Sequence, residues 1–136
     1  MEYPGYGIYQ SESTTEEAIL RDSERVYKYL INQLSIREDQ IILMGRSLGS
    51  GPSTFLASKY KPAALILISP FTSIKKAAND LFGFFGGLFV KERFNNSEKI
   101  KDVSSPTLLI HGRKDTTVPW SHSEHLYGTF YIFLTL

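Results

Sequence analysis

Cysteine is absent from this 136-residue chain. Its absence excludes disulfides, thiolate metal sites and a cysteine nucleophile. An excess of charge of one sign is also lacking. Fifteen Lys and Arg face fourteen Asp and Glu, for a formal net charge of +1. Nothing electrostatic therefore argues for nucleic acid or a strongly acidic partner. The start, Met1-Glu2-Tyr3-Pro4-Gly5, has no charged-then-apolar leader pattern. No apolar run reaches the roughly 18 residues that span a bilayer. No internal repeat, low-complexity tract or linker divides the chain. The expectation from these absences is one soluble, cytoplasmic domain over residues 1–136. No metal or organic cofactor is implied.

What is present is an ordinary globular balance, 42% hydrophobic and 21% charged. Tyr3 to Tyr9 reads as a loop in which Gly5 and Gly7 permit backbone angles closed to other residues. A helix follows. Thr14 and Glu17 have capping-box spacing, and Ile19, Val26, Leu30 and Leu34 repeat at helical period. Glu17 with Arg21 and Glu24 with Lys28 stand at favourable i,i+4 spacing.

Gln40–Met44, Ala63–Ile68 and Thr107–His111 read as short, continuously apolar strands. That is the pattern of a parallel sheet covered on both faces. Leu48–Tyr60 reads as a helix with Pro52 in its first turn, where a missing N–H costs little. Trp120–Tyr127 reads as another helix, whereas Thr72–Val90 is ambiguous. Strands alternating with helices predict an α/β fold with a parallel sheet of three to four strands flanked by helices.

Between the first strand and the second helix stands Gly45-Arg46-Ser47-Leu48-Gly49. Gly-x-Ser-x-Gly at a strand-to-helix junction is the context of a nucleophile elbow. A tight, strained turn would push the Ser47 hydroxyl above the sheet edge. The Leu48 N–H, next to the nucleophile, could donate to a developing oxyanion at the positive end of the helix.

Four ordered blocks carry a family resemblance: Tyr3-Pro4-Gly5-Tyr6-Gly7, Gly45 to Pro52, Ser69-Pro70-Phe71-Thr72-Ser73, and His111 to Pro119. Phe94-Asn95-Asn96-Ser97-Glu98-Lys99-Ile100 fits the same pattern. Together they resemble the alpha/beta-hydrolase superfamily, and within it the alpha/beta hydrolase domain-containing protein 17 group, several of which are protein depalmitoylases. The resemblance runs from about Tyr3 to Leu126. It implies a serine hydrolase of carboxylic ester or thioester bonds, acyl-protein thioesterases included. It assigns Ser47 as nucleophile and Asp115 as triad acid. The acid follows a predicted buried strand and so belongs at the sheet edge that presents Ser47. There it would orient a histidine. The implied partner is an acylated protein or a small ester or thioester.

The resemblance also implies missing parts. A fold of this kind needs more than about 200 residues. The strands before Tyr3 and the loop that gives a second oxyanion N–H are expected to be absent. The base histidine is expected beyond Leu136. His111 would be structural, and His122 and His125 are weak candidates for the base. Serine without a base is a poor nucleophile, and one lost oxyanion donor costs about 2.7–4 kcal/mol.

Leu81 to Phe89 is rich in Phe and Gly. Phe82, Phe85 and Leu88 are candidates for an acyl groove, at about 0.8 kcal/mol per buried methylene. Ordinary core packing, or contact with a membrane surface flanked by Lys91 and Arg93, are the other readings. A peptidase of the same superfamily and a non-catalytic interaction module remain open as functions. Residues 1–136 alone are expected to show little or no hydrolase activity. Turnover of a p-nitrophenyl ester or thioester at a rate typical of the family would contradict this.

Overall fold

Residues 2–9, 14–83 and 89–129 are described by the structure, a computed structural model. Phe85 and Leu88 of the candidate groove, and the tail from residue 130 onward, lie outside the described residues. The chain divides into two units, residues 1–37 and 38–136.

In the first unit, Gly5 and Gly7 take positive φ, at 84° and 50°, as the loop reading requires. Helix α1 spans Glu16–Asn32. Its cap is Thr15, one residue later than the capping-box spacing suggested. The Thr15 side chain accepts from the Ala18 N–H at 3.1 Å, while the Thr14 hydroxyl donates to the Pro4 carbonyl at 2.9 Å. Two adjacent threonines thus divide the work, one capping the helix and one tying down the loop. The buried stripe is also rotated. Ala18, Ile19, Ser23 and Tyr27 are buried, whereas Val26 and Leu34 are exposed. Ser23 is tolerated inside because its hydroxyl donates to the Ile19 carbonyl at 2.7 Å. Glu24 and Lys28 pair at 3.3 Å as the spacing suggested, and Arg21 meets Asp22 at 3.1 Å.

The second unit holds a parallel three-stranded sheet: β1 (Ile42–Arg46), β2 (Ala64–Ile68) and β3 (Thr107–Ile110), with β2 central. Met44 pairs with Ile66, and Ile66 with Leu108, in register. Parallel neighbours need crossovers. Helix α2 (Ser50–Lys59) connects β1 to β2. Helices α3 (Ile74–Phe82) and α4 (Asn96–Lys99) lie between β2 and β3, and α5 (Ser121–Tyr127) follows β3. The ambiguous stretch after Thr72 therefore begins as a helix, with the Ser73 side chain accepting from the Lys76 N–H at 3.2 Å. Pro52 lies in the first turn of α2, where no intrahelical donor is lost.

The core sits on one face of this sheet. Leu65 and Leu67 pack with Ala57, Ile100 and Leu126, and Leu43, Val103 and Leu109 pack against that cluster. The expectation of strands buried on both faces fails for β1. Ile42 and Met44 are 60% and 67% exposed, because side chains alternate along a strand and these two point away from the Leu65 and Leu67 face. No described helix is long and apolar enough to cross a membrane.

The alternation yields a stability contrast. Leu67→Ala should cost about 2–5 kcal/mol, as a cavity in a packed core does. Met44→Ala should stay within about 0.5 kcal/mol. Urea unfolding of the two variants measures both.

Candidate active site

The edge of the site is built where the strands end. Because all three strands are parallel, their C-terminal ends lie at the same edge of the sheet. Ser47 follows β1, Ser69 follows β2 and Asp115 lies in the loop after β3.

At β1 the chain turns abruptly. Arg46 is extended, with φ −113° and ψ 136°, and Ser47 has φ 47°. A left-handed serine is uncommon and stores strain of about 1–3 kcal/mol, which the surrounding structure must hold. A 3-10 turn, Ser47–Gly49, then leads directly into α2. Gly45 shows why the motif needs its first glycine. A Cβ there would run into the Gly49 carbonyl and stand 2.7 Å from the Ser53 hydroxyl. Ser47 is exposed at the tip of this bend. The Leu48 N–H is in the opening turn, among the N–H groups that have no carbonyl of their own helix to bond.

Two buried contacts brace the bend from behind. Asn96, wholly buried, donates from Nδ2 to the Ser50 hydroxyl at 3.1 Å and to the Phe71 carbonyl at 2.9 Å. Phe94, itself at φ 47°, lies against Gly51, where any Cβ would overlap its ring.

Asp115 is held by its own loop. Its Oδ1 accepts from the Thr117 and Val118 N–H groups at 2.9 and 3.0 Å. The Val118 N–H most of all, with those of Thr117 and the Ser69 side chain, holds the carboxyl below its ordinary range against the opposing effect of burial. His111 secures the same loop. Its Nε2 donates to the Val118 carbonyl at 2.7 Å and its Nδ1 meets the Ser123 hydroxyl at 2.7 Å. The carboxylate of Asp115, at 3.7 Å from Nε2, is a secondary neighbour. Both ring nitrogens of His111 are thereby occupied by structural bonds.

Ser47 and Leu48 line a pocket of about 210 Å³ with Phe71, Thr117, Val118 and one face of α3. Thr117 and Val118 are the residues whose N–H groups hold Asp115, so Ser47 and the Asp115 loop meet at one pocket. The α3 face consists of Ile74, Ala77, Ala78 and Leu81. Phe82, the groove candidate inside the described residues, does not line this pocket and is 72% exposed. Leu81 points there instead, continuing the i, i+3, i+4, i+7 row from Ile74. The i, i+3, i+4, i+7 spacing of that row is present in Thr72–Val90, beside the larger aromatics that the acyl-groove reading selects.

The two weak base candidates lie elsewhere. His122 is buried, and its Nδ1 accepts from the Thr72 N–H at 3.1 Å and pairs with the Thr72 hydroxyl at 2.9 Å. Its Nε2 stands 3.0 Å from an Asp80 oxygen, at ion-pair distance but not aligned as a hydrogen bond. His125 is exposed. Both line a separate cavity, on the other side of α3. Among the described residues, no histidine lines the pocket beside Ser47, and no cluster of His, Asp and Glu could hold a metal ion.

Known proteins resemble the chain in sequence and in shape. It is 36% identical over 126 residues to human alpha/beta hydrolase domain-containing protein 17B, and 33% identical over 126 residues to mouse alpha/beta hydrolase domain-containing protein 17C. These alignments take in 93% of the chain but 42% and 38% of the relatives, so the chain spans less than half their length. No family model matches. Among solved structures, an alpha-beta hydrolase from Vibrio vulnificus superposes with TM-score 0.70 at 18% identity, over 86% of this chain and 46% of that one. An acylaminoacyl peptidase from Pyrococcus horikoshii superposes with TM-score 0.66 at 17% identity, over 82% of this chain and 20% of that one. At these identities the structural likeness establishes the fold, an alpha/beta-hydrolase sheet with its flanking helices.

The Asp115 bonds carry a pH signature. A carboxyl with a lowered folded pKa contributes stability above its unfolded value, about 3.9, and loses it as pH falls through the folded pKa. Asp115→Asn should therefore melt below the wild type near neutral pH. The deficit should close as pH falls through the acid range, in thermal melts at matched ionic strength.

Proposed function

We propose that this chain, a member of the alpha/beta-hydrolase superfamily, carries the nucleophile and acid of a serine hydrolase that cleaves carboxylic esters or thioesters. The observation that carries the reading is the left-handed Ser47 at a strand-to-helix bend, opening on the pocket whose opposite wall includes the loop of Asp115. In this reading Ser47 Oγ attacks the acyl carbonyl. The Leu48 N–H then donates to the oxyanion as it forms. Asp115 orients the histidine that takes the serine proton, and that histidine comes from outside the described residues.

Pocket chemistry favours an acyl group over a polar one. Ile74, Ala77, Ala78, Leu81, Phe71 and Val118 offer hydrocarbon next to the reactive hydroxyl. A volume of about 210 Å³ has room for roughly seven methylene-sized groups, at the ~30 Å³ a water occupies. The names of the relatives specify no substrate, and fold alone does not choose one. An acylated protein is the larger substrate that such a pocket would serve, its acyl chain entering beside α3.

The test supplies the missing base. A fluorophosphonate probe should label the chain slowly at Ser47, and added imidazole should accelerate both labelling and p-nitrophenyl ester hydrolysis above the rate seen with Ser47→Ala. Equal rates for wild type and Ser47→Ala, or a label on another residue, would remove Ser47 from the role.

A further inference from the structure

Helix α3 has two lined faces and little to hold it. No α3 side chain is buried. Ile74, Ala77, Ala78 and Leu81 face the pocket beside Ser47. Ser73, Lys76 and Asp80 face a polar cavity of about 450 Å³ together with Thr72 and His122. A helix without a buried stripe draws little stability from packing. Its attachments are polar instead. The Ile74 N–H donates to the Arg93 carbonyl at 3.0 Å, and the Ser73 side chain caps the first turn.

The Ser97 N–H donates to the Thr72 carbonyl at 3.1 Å, and a buried imidazole adds a further attachment. His122, in α5, is 2% exposed. Its Nδ1 takes the Thr72 N–H, at the entry to α3, so its proton sits on Nε2 and faces Asp80, near the end of the helix. Burial lowers the pKa of His122, with Asp80 pulling the other way and Lys76 adding to the lowering. The neutral ring keeps Nδ1 free to accept. Lys76 also pairs with Asp80, but its side chain is 56% exposed, and such pairs contribute little. Among the described residues, His122 is a buried group that bonds the entry of the helix and stands against its last turns, 3.0 Å from Asp80.

We propose that His122 is a positioning residue for specificity: by bonding Thr72 and standing against Asp80 it sets how close the apolar face of α3 stands to Ser47, and so which acyl chains the pocket admits. This rests on the reading of that pocket as an acyl site. His122 thereby has a defined task without touching the substrate. Loosening the tether leaves the elbow and the Asp115 loop intact, because both are built from bonds that do not include α3. It frees only one wall. Pocket width, and with it chain-length discrimination, is what should change.

The absence of cysteine allows a clean experiment, since two introduced thiols can be labelled specifically. In the Ser47→Ala background, which separates binding from reaction, binding of hexanoate, octanoate, dodecanoate and palmitate is measured by displacement of a fluorescent fatty acid. In parallel, spin labels at Lys59→Cys in α2 and Lys75→Cys in α3 report the distance between the two helices. With His122 and Asp80 intact, affinity should peak at a medium chain and the distance distribution should be narrow. Asp80→Ala and His122→Leu should broaden the distribution and flatten the preference for the best chain over palmitate by about tenfold. Asp80→Asn, which keeps a side chain of the same size and shape beside Nε2, should restore both, and Lys76→Ala should change neither.

If Asp80→Ala leaves the distance distribution as narrow as before, the positioning role is wrong, whatever binds. It is equally wrong if the distribution broadens and the chain-length profile of an otherwise folded variant stays the same. If no fatty acid displaces the probe in any background while the distances respond as expected, the tether stands. The acyl reading of the pocket, and the specificity role built on it, then fail.

Discussion

A single backbone torsion organises this molecule. Ser47 sits at φ 47° between a strand and a helix, and its neighbours exist in the form they do because of that bend. Gly45 must lack a side chain, since the returning Gly49 carbonyl occupies the space. Helix α2 begins immediately, after the 3-10 turn Ser47–Gly49. Strain of this kind persists only where surrounding contacts over-determine it. Here Asn96 bonds Ser50 and Phe71 together, and Phe94 closes on Gly51. The Phe94–Ile100 segment, which resembled the family without an evident task, is the brace of the elbow.

The acid side follows a different principle. Asp115 gains nothing from strain. Backbone N–H groups of its own turn, the Ser69 side chain and the loop pinned by His111 define its place. One carboxylate oxygen accepts both N–H groups of that turn, and the other stands 3.7 Å from His111 Nε2. Parallel strand polarity does the rest, delivering both residues to one edge without any contact between their own segments of sequence.

Between these two rigid constructions stands α3, which is attached differently. Elbow and acid loop are held by buried bonds and close packing, whereas α3 has no buried side chain. In the proposed reading, a firm edge at Ser47 beside a lightly tethered α3 would let the pocket vary without disturbing the position of Ser47. The same helix divides apolar from polar space, since its i, i+3, i+4, i+7 row faces hydrocarbon and the opposite row faces hydroxyls and charge. His122, one of the two weak candidates for the base, is buried away from the Ser47 pocket and bonded to Thr72 at the entry of this wall.

The local geometry of the bend and the parallel α/β architecture were legible in the residue order. Gly45-Arg46-Ser47-Leu48-Gly49 between an apolar run and a helix specified the bend, because only glycine survives that approach. Three short apolar runs separated by helical stretches specified a parallel α/β sheet, because parallel neighbours require crossovers. What the order could not decide was which side of each element meets the core. Met44 and Leu67 are equally apolar, yet one is in solvent and the other is sealed, and Phe82 lies outside the pocket that Leu81 lines. The partners of His111, expected to be structural, and of His122, a weak candidate for the base, depended on Val118, Ser123, Thr72 and Asp80 coming together. Facing and partnership depend on residues far apart in the chain, and only the folded packing brings them together.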